Sequence, residues 1–194
     1  MDDTKIYYQE NSLEYFQSTI SVDVSSLYDH FIKYVPVGSR ILDLGCGSGR
    51  DTKAFLNKGY VVDAIDGSAE LCKLASEYTG VQVKCMDLRQ LAAVGEYNAI
   101  WACASLLHVS YKDLPNVLSR IESALVVSGI VYMSFKYGNF EGIRGERYYT
   151  DMTPERMAVL LEKTDDLCII EEWYSDEVRA DRVLKWYNVI LRKS

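Results

Sequence analysis

The chain has 194 residues, of which 48% are hydrophobic and 25% charged, and this composition predicts one globular domain with a buried core. No apolar run approaches the roughly 18 residues that cross a membrane, and the polar, acidic residues 1–5 lack the layout of a signal peptide. The net charge of −7 argues against a nucleic-acid substrate, because binding to phosphates usually requires a basic face.

Cysteines and histidines indicate neither a metal site nor a disulfide framework. The five cysteines are scattered, odd in number and form no C-x-x-C pair. The two histidines, His30 and His108, lie too far apart in sequence for a histidine metal site. We therefore expect no metal, and reduced thiols of the kind found in cytoplasmic proteins.

The chain begins with helical periodicity over residues 4–34. Aromatic residues recur there at roughly helical spacing, and residues 21–25 resemble a cap between two helices. Pro36 and Gly38 end the second helix. We expect residues 1–36 to form a helical lid, and residues 37–194 to form the core of a single domain.

Strands and helices then alternate. The predicted strands cover residues 40–44, 60–65, 82–85, 97–104 and 129–136. The predicted helices between them cover residues 51–58, 68–78 and 112–125. This alternation, with nearly continuous apolar strands, predicts βαβ units around a parallel sheet that is covered on both faces, and thus an α/β fold.

The pattern changes after the fifth predicted strand. Residues 137–149 are rich in glycine and aromatic residues and predict a loop or a loose hairpin. Thr153 and Pro154 then form a helix start, and that helix runs to about residue 163. Two last strands, residues 168–175 and 186–191, are separated by a charged turn and predict an antiparallel pair.

A glycine-rich turn follows the first predicted strand. Gly45, Gly47 and Gly49 occupy alternate positions just before a helix. Glycine permits positive φ and close approach of a ligand, and a helix N-terminus offers unpaired N–H groups. Asp66 lies 21 residues after Gly45, at the end of the second predicted strand, where an acidic residue usually binds a ribose. Together these residues predict an adenosine-containing ligand.

The spacing of the turn decides between two kinds of adenosine ligand. The dinucleotide fingerprint G-x-G-x-x-G would require a third glycine at position 50, where the chain has Arg50. The observed pattern is D-x-G-x-G-x-G, with Asp43 ahead of the glycines. A carboxylate at that place disfavours a pyrophosphate and favours a ligand that carries an ammonium and a sulfonium. Asp43 can also hold the turn through hydrogen bonds to backbone N–H groups, and the two roles are compatible.

This pattern resembles the signature of class I S-adenosylmethionine-dependent methyltransferases, and the resemblance covers nearly the whole chain. Residues 43–49 (DLGCGSG), 64–68 (AIDGS) and 85–88 (CMDL) are similar to the first three motifs of the family. Residues 97–103 (YNAIWAC) resemble the fourth strand, and residues 125–130 (LVVSGI) resemble the turn before strand five, without its usual Pro-Gly-Gly. Within the family the chain is most similar to small bacterial methyltransferases of the type 11/12 or tellurite-resistance kind.

The resemblance implies a fold and a set of cofactor contacts. The fold is a three-layer, Rossmann-like methyltransferase fold with a seven-stranded, mostly parallel sheet whose last strand is antiparallel. Asp66 and Gly67 would bind the ribose hydroxyls, and Asp87 with the N–H of Leu88 would meet adenine. The methionine part would lie against the first motif, at Asp43, Gly45, Cys46, Gly47 and Gly49.

Other candidate residues are expected near the transferred methyl group, since ligands of open α/β sheets lie at the carboxyl ends of the strands. His108 follows the fourth predicted strand and is a candidate general base, unless it only caps or packs. Tyr7, Tyr8 and Tyr15 would form walls of the lid, or pack on the sheet instead. Of these, Tyr15 is predicted to contact the cofactor through a cation–π interaction, and Tyr7 the substrate.

The segment 137–149 faces the same opening in this arrangement. Its arginines, Arg144 and Arg147, are predicted to hold an anionic substrate through bidentate contacts, unless the segment is a solvated loop. Trp101 and Trp186 are predicted to be core residues.

The sequence therefore predicts a cytoplasmic methyltransferase that uses S-adenosylmethionine to methylate an O, N or S nucleophile of a small molecule. The N-P-P-Y motif and the Pro-Cys dipeptide of DNA methyltransferases are absent from the chain. Three alternatives stay open: a methyltransferase that acts on protein or RNA, a non-catalytic module that binds S-adenosylmethionine, and an NAD-dependent oxidoreductase. The sequence indicates no oligomeric state.

Overall fold

The computed structural model describes residues 3–176 and 184–194. The helices are α1 (Asp3–Glu10), α2 (Ser12–Thr19), α3 (Ser25–Ile32), α4 (Arg50–Asn57), α5 (Ala69–Thr79), α6 (Leu114–Ala124) and α7 (Pro154–Leu161). The strands are β1 (Arg40–Leu44), β2 (Val61–Asp66), β3 (Lys84–Cys85), β4 (Tyr97–Ala102), β5 (Leu125–Lys136), β6 (Glu141–Arg144), β7 (Arg147–Thr150), β8 (Leu167–Asp176) and β9 (Lys185–Lys193).

Seven of these strands form one sheet in the order β3-β2-β1-β4-β5-β9-β8. Strands β1 to β5 are parallel, and β9 is antiparallel to both of its neighbours, β5 and β8. Strand β8 therefore runs in the same direction as β1 to β5, and β9 alone is reversed within this sheet. This confirms the predicted α/β fold with a seven-stranded, mostly parallel sheet and an antiparallel last strand.

Both faces of the sheet carry an apolar core. On one face Leu42, Ile100 and Val131 pack with helix α6, and on the other Trp101 packs with Phe31 of helix α3. Trp101 is fully buried, as predicted, and stacks on the ring of Tyr132. Because Phe31 belongs to the core, α3 is part of the sheet packing, whereas α1 and α2 lie over the carboxyl ends of the strands.

The structure refines several predicted elements. Asn11 ends α1, since its side-chain amide donates to the carbonyl of Tyr7, so the N-terminal segment forms three helices and not two. Strand β5 begins at Leu125, which pairs with Tyr97. The turn predicted before the fifth strand is therefore part of β5, where it appears only as an irregularity at Ser128, whose φ is +64°. Of the two forms predicted for residues 137–149, the structure has the hairpin, formed by β6 and β7.

Local signals placed the helix starts correctly. The Ser68 hydroxyl accepts a hydrogen bond from the N–H of Leu71, and the Thr153 hydroxyl accepts one from Arg156, as expected of N-caps. The charged turn predicted between the last two strands falls largely on residues 177–183, which lie outside the described residues, as do residues 1–2 of the predicted lid. Within the described residues, no helix has both the length and the apolar character to span a membrane.

Candidate functional site

The three glycines of the turn after β1 have different structural roles. Gly45, Gly47 and Gly49 all have positive φ, between +55° and +84°. A Cβ on Gly45 would lie 2.5 Å from the Cβ of Ser105, so glycine lets the turn approach the segment after β4. A Cβ on Gly49 would lie 2.8 Å from the side chain of Thr79, so this glycine allows α4 to pack on α5.

A cavity of about 120 Å³ lies at the carboxyl ends of β1, β2 and β4, and we call it the strand-end cavity. It brings together most of the residues that the sequence predicted for a cofactor, and also the predicted base. These residues are Gly45, Gly47, Asp66, Gly67, Asp87, Leu88, Tyr15 and His108. Further lining comes from Thr4, Lys5 and Tyr8 of α1, so the predicted lid helix closes one side of this cavity.

Asp66 is the acidic residue at the centre of the strand-end cavity. One carboxylate oxygen accepts the N–H of Gly47 at 2.9 Å, and the other accepts the N–H of Ser68 at 2.9 Å. Burial raises the pKa of Asp66, and the backbone N–H groups around it offset part of this effect. Since a carboxylate has about four lone-pair sites, it can still accept hydrogen bonds from two hydroxyl groups of a ligand.

Asp87 lies at the other end of the cavity and has a cation beside it. The Arg89 guanidinium donates to its carboxylate at 2.6 Å and 2.9 Å, and this contact lowers the pKa of Asp87 although burial opposes the effect. Apolar side chains, including Leu88 and Met86, line the cavity next to it. An edge with one carboxylate and flat apolar walls is suited to a planar heterocycle.

Asp43 does not reach the strand-end cavity. Its side chain is buried in β1, where the Thr52 hydroxyl of α4 donates to it at 2.5 Å. Burial and the nearby Asp51 carboxylate raise the pKa of Asp43 to about 8. Asp51 keeps a low pKa despite its burial, because it pairs with Arg50. The geometry therefore gives Asp43 a role in holding the turn against α4.

His108 has both ring nitrogens engaged. Its Nδ1 lies 2.7 Å from the carbonyl oxygen of Tyr148, and because a carbonyl only accepts, Nδ1 carries a proton. In the neutral ring Nε2 is then an acceptor, and it receives the hydroxyl proton of Tyr8 at 2.9 Å. The guanidinium of Arg147 in turn donates to the Tyr8 oxygen at 3.2 Å. Tyr8 thus connects the lid helix α1 to both His108 and the hairpin.

A second large opening, which we call the aromatic cavity, has a volume of about 340 Å³ and shares Tyr8, Tyr15 and Ala104 with the strand-end cavity. Ala104 follows β4 and has a φ of +49°, an unusual value for a residue with a Cβ. The aromatic cavity is lined by α1, α2, β7 and the ends of β5 and β9 through Tyr7, Asn11, Glu14, Ser18, Leu107, Lys136, Arg147, Tyr149, Leu184 and Trp186.

The structure separates the two predicted substrate arginines. Arg147 and Tyr7 line the aromatic cavity, as the sequence interpretation requires. Arg144 is absent from its lining and forms a bidentate pair with Asp151, at 2.9 Å and 2.5 Å. Trp186 is only partly buried and borders the cavity, so the expectation that it is a core residue was incomplete.

Cys46 lines neither the strand-end cavity nor the aromatic cavity. It borders a third cavity, of about 270 Å³, on the side of the turn that faces α3 and α4. Tyr15 and Ala104 also line this cavity, so all three openings meet at these two residues. In residues 3–176 and 184–194, no group of three or more His, Cys, Asp or Glu side chains is arranged to hold a metal ion.

Sequence reasoning overlooked three residues of these cavities. Tyr8 was predicted, with Tyr7 and Tyr15, as a wall of the lid that meets the sulfonium, but its hydrogen bond to His108 was not foreseen, because this contact spans 100 residues of sequence. Ser105 borders the strand-end cavity, and its buried Oγ has no hydrogen-bond partner among the described residues. Lys136 ends strand β5, and its place at the carboxyl edge of the sheet was the signal that could have identified it.

Comparisons with known proteins agree with this geometry. Residues 41–129 match a family model described as a methyltransferase domain. A ubiquinone biosynthesis O-methyltransferase of Xanthomonas axonopodis pv. citri is 34% identical over 106 residues, which cover 51% of this chain and 44% of that protein. The chain therefore spans less than half the length of this curated relative.

Two solved structures share the fold. A 1,6-didemethyltoxoflavin-N1-methyltransferase of Burkholderia thailandensis, with bound 1,6-didemethyltoxoflavin and S-adenosylhomocysteine, is 20% identical, with a TM-score of 0.75 over 97% of this chain and 85% of that one. A magnesium protoporphyrin IX methyltransferase of Synechocystis, with bound S-adenosylmethionine, is 16% identical, with a TM-score of 0.76 over 100% and 98%. Residues 41–129 therefore have the sequence of a methyltransferase domain, and the chain as a whole has the fold of these methyltransferases.

Proposed function

We propose that this protein binds S-adenosylmethionine in the strand-end cavity and transfers its methyl group to an O, N or S nucleophile of a small molecule held in the aromatic cavity. The observation that carries the proposal is the junction of the two cavities, where Tyr8, Tyr15 and Ala104 line both. When bound, S-adenosylmethionine supplies a methyl group on a sulfonium, and the lone pair of the acceptor takes it while the sulfur keeps the bonding electrons.

The residues of the strand-end cavity fit this cofactor. Asp66 has acceptor sites left for two ribose hydroxyls, and Asp87 and Leu88 suit the edge and face of adenine. Ser105 and Tyr15 occupy the places where Cβ atoms on Gly45 and Gly47 would lie, so these two glycines let both residues of the cavity pack against the turn. The unpaired Oγ of Ser105 offers a hydrogen bond to a polar ligand atom.

The aromatic residues at the junction suit a cationic methyl donor. The rings of Tyr8 and Tyr15 pack edge to face, with centroids 4.9 Å apart. Aromatic faces attract a sulfonium and exclude water, and exclusion of water together with alignment accelerates a reaction in which charge is lost at the transition state. This supports Tyr15 as a cofactor contact, as its position in the sequence suggested.

Tyr8 and His108 provide a route for the acceptor proton. His108 does not line the aromatic cavity, whereas Tyr8 does, so the Tyr8 hydroxyl is the group that touches an acceptor there. As the acceptor gives its proton to the Tyr8 oxygen, Tyr8 passes its own proton to Nε2 of His108. His108 then becomes a cation whose Nδ1–H stays bonded to the Tyr148 carbonyl.

The names of the relatives support a small-molecule acceptor. The Burkholderia thailandensis structure contains 1,6-didemethyltoxoflavin beside S-adenosylhomocysteine, and the Xanthomonas relative is described as a ubiquinone biosynthesis O-methyltransferase. Both descriptions concern those proteins, and they favour the same class of acceptor here over protein or RNA.

Calorimetry with S-adenosylmethionine and S-adenosylhomocysteine tests the cofactor assignment. Both should bind, and Asp66→Ala should weaken binding by about a hundredfold, because two hydrogen bonds to a charged group are lost. Asp63→Ala is the matched control, since Asp63 lies on the same strand but pairs with Arg40 on the outside of the molecule. The absence of heat with the unmodified chain, or unchanged affinity in Asp66→Ala, would refute the proposal.

The second experiment identifies the acceptor class. The chain is incubated with S-adenosylmethionine labelled in its methyl group and with metabolite, protein and RNA fractions. We expect label in small molecules. Label confined to protein or RNA would replace the proposed substrate class, and cofactor binding without any transfer would indicate a non-catalytic binding module.

A further inference from the structure

The aromatic cavity has an unusual arrangement of charge and rings. Tyr7, Tyr8, Tyr15, Tyr149 and Trp186 supply its aromatic walls. Among the described residues, its lining carries the cations Lys136 and Arg147 and the carboxylate of Glu14.

Arg147 is held by rings and not by an acidic residue. Its guanidinium carbon lies 4.5 Å from the ring centroid of Tyr7, 5.5 Å from that of Tyr149 and 5.7 Å from that of Tyr8. Its one conventional hydrogen bond runs to the Tyr8 oxygen. Within residues 3–176 and 184–194, no Asp or Glu forms an ion pair with it.

Arg144 lies in the same hairpin but differs from Arg147 in forming an ion pair with an acidic residue. The two arginines are directly opposite each other across the β6–β7 hairpin, yet Arg144 is neutralised by the buried carboxylate of Asp151. Arg147 turns toward the cavity and keeps most of its five N–H donors available for a ligand. A planar guanidinium between aromatic rings is suited to a planar carboxylate, which it binds through two parallel hydrogen bonds.

We infer that the methyl acceptor is a small aromatic carboxylate, bound by stacking on the tyrosine walls and by an ion pair with Arg147; this rests on the proposed methyltransferase function. The aromatic ring replaces water against the partly exposed Tyr7 and Tyr15, as offset or edge-to-face ring pairs do in protein interiors.

The geometry also restricts where the nucleophile stands on the ring. The Arg147 nitrogen that faces Tyr8 lies only 3.2 Å from the Tyr8 oxygen, the atom assigned to receive the acceptor proton. A ligand that reaches both groups needs its carboxylate and its hydroxyl or amino group close together. We therefore expect ortho and meta isomers to bind more tightly than para isomers.

The experiment uses the full chain and a panel of hydroxybenzoate, aminobenzoate and hydroxynaphthoate isomers. Each carboxylate is compared with its neutral carboxamide by calorimetry, in the presence of S-adenosylhomocysteine and again without it. We expect ortho or meta carboxylates to bind about tenfold more tightly than the matching carboxamides. A saturated ring, as in 3-hydroxycyclohexanecarboxylate, should bind more weakly than its aromatic counterpart.

Substitutions of Arg147 test whether this side chain causes the preference for carboxylates over carboxamides. Arg147→Gln should remove the discrimination between carboxylate and carboxamide, and Arg147→Lys should keep part of it, because lysine retains the charge without the planar fork. Arg192→Gln is the control, as Arg192 is an exposed arginine that packs on Tyr34 away from the cavity. Urea unfolding of each variant separates loss of binding from loss of folding.

Three results would overturn the inference: no carboxylate in the panel binds, carboxamides bind equally well, or Arg147→Gln keeps the preference. Each of these three results can be obtained without S-adenosylhomocysteine. The binding of aromatic carboxylates is therefore tested even if S-adenosylhomocysteine fails to bind. Failure of S-adenosylhomocysteine to bind refutes the proposed function instead, and the two failures are thereby distinguished.

Discussion

The hydroxyl of Tyr8 donates a hydrogen bond to Nε2 of His108, and this contact joins the lid helix α1 to the segment after β4. In the proposed relay, proton transfer requires α1 in place, because α1 carries Tyr8. The contact therefore couples the position of α1 to proton transfer.

Removal of the Tyr8 hydroxyl tests this coupling. For an acceptor with an O–H group, Tyr8→Phe and His108→Gln should each lower kcat by about a hundredfold, a typical loss for general-base catalysis. The double variant should lose little more than either single variant, because the two groups act as one unit. Steady-state kinetics of the three variants measures this. Tyr78→Phe is the control, since Tyr78 is exposed on α5.

Additive losses in the double variant would contradict the relay and would favour independent roles. A second readout is the ionisation of Tyr8 itself. Burial raises the pKa of Tyr8 well above its usual value, so its phenol stays protonated in alkaline solution. Ultraviolet titration of the unmodified chain and of Tyr8→Phe should therefore give the same tyrosinate absorbance near pH 10.

The buried Asp43 carboxyl predicts a pH-dependent stability. Its pKa is about 8 in the fold and about 4 in an unfolded chain, so between these values the folded state holds a proton that the unfolded state releases. Stability therefore decreases as the pH rises through this window, by up to about 1.4 kcal/mol for each pH unit. The cost is greatest above pH 8, where the buried group is ionised.

The Asp43→Asn variant tests whether Asp43 causes this pH dependence of stability. The amide oxygen can still accept the Thr52 hydroxyl, but it carries no charge at any pH. Urea unfolding at pH 5.5 and pH 7.5, without cofactor, should show a smaller loss of stability in Asp43→Asn than in the unmodified chain. Asp63→Asn, on the neighbouring strand, should follow the unmodified chain. Parallel pH profiles for all three proteins would contradict the assignment.

Alanine substitutions at Gly45 and Gly38 distinguish the cost of a left-handed backbone from the cost of a steric clash. Both have a φ near +85°, but a Cβ on Gly38 meets nothing within 4 Å, whereas one on Gly45 meets Ser105. Gly38→Ala should cost about 1 kcal/mol in the free energy of unfolding, from the left-handed backbone alone. Gly45→Ala should cost a further 1–3 kcal/mol, roughly, because Ser105 must move.

Urea unfolding of the two variants gives both values, and S-adenosylhomocysteine titration gives a third. Only Gly45→Ala should weaken binding, since Gly38 lies outside the strand-end cavity. Equal destabilisation by the two substitutions would show that the turn can shift without cost and that close approach to Ser105 is not required.

The features that could be predicted from the sequence were those with local causes. Strand β1 was predicted with its observed bounds, and the Ser68 cap was recognised, because apolar runs, caps and glycine turns depend on neighbouring residues. The spacing from Gly45 to Asp66 also predicted their meeting in one cavity, since parallel strands bring their carboxyl ends together.

The features that escaped prediction depend on tertiary packing. Asp151 is close to both Arg144 and Arg147 in the sequence, yet spacing does not tell which of them it neutralises, because the pairing is set only when the hairpin has folded. Asp43 was expected near the ligand by its position in the motif, yet its side chain points to Thr52 and is only 2% exposed. Such outcomes follow from tertiary packing, which residue spacing does not encode.

The position of strand β9 has a consequence for how the protein is synthesised. Because β9 lies between β5 and β8, the edge of β5 stays unpaired until residues 185–193 have left the ribosome. The lining of the strand-end cavity comes from residues 4–109, whereas the aromatic cavity also needs Trp186. During translation, then, the strand-end cavity can assemble first, and the aromatic cavity is completed only after β9 has emerged.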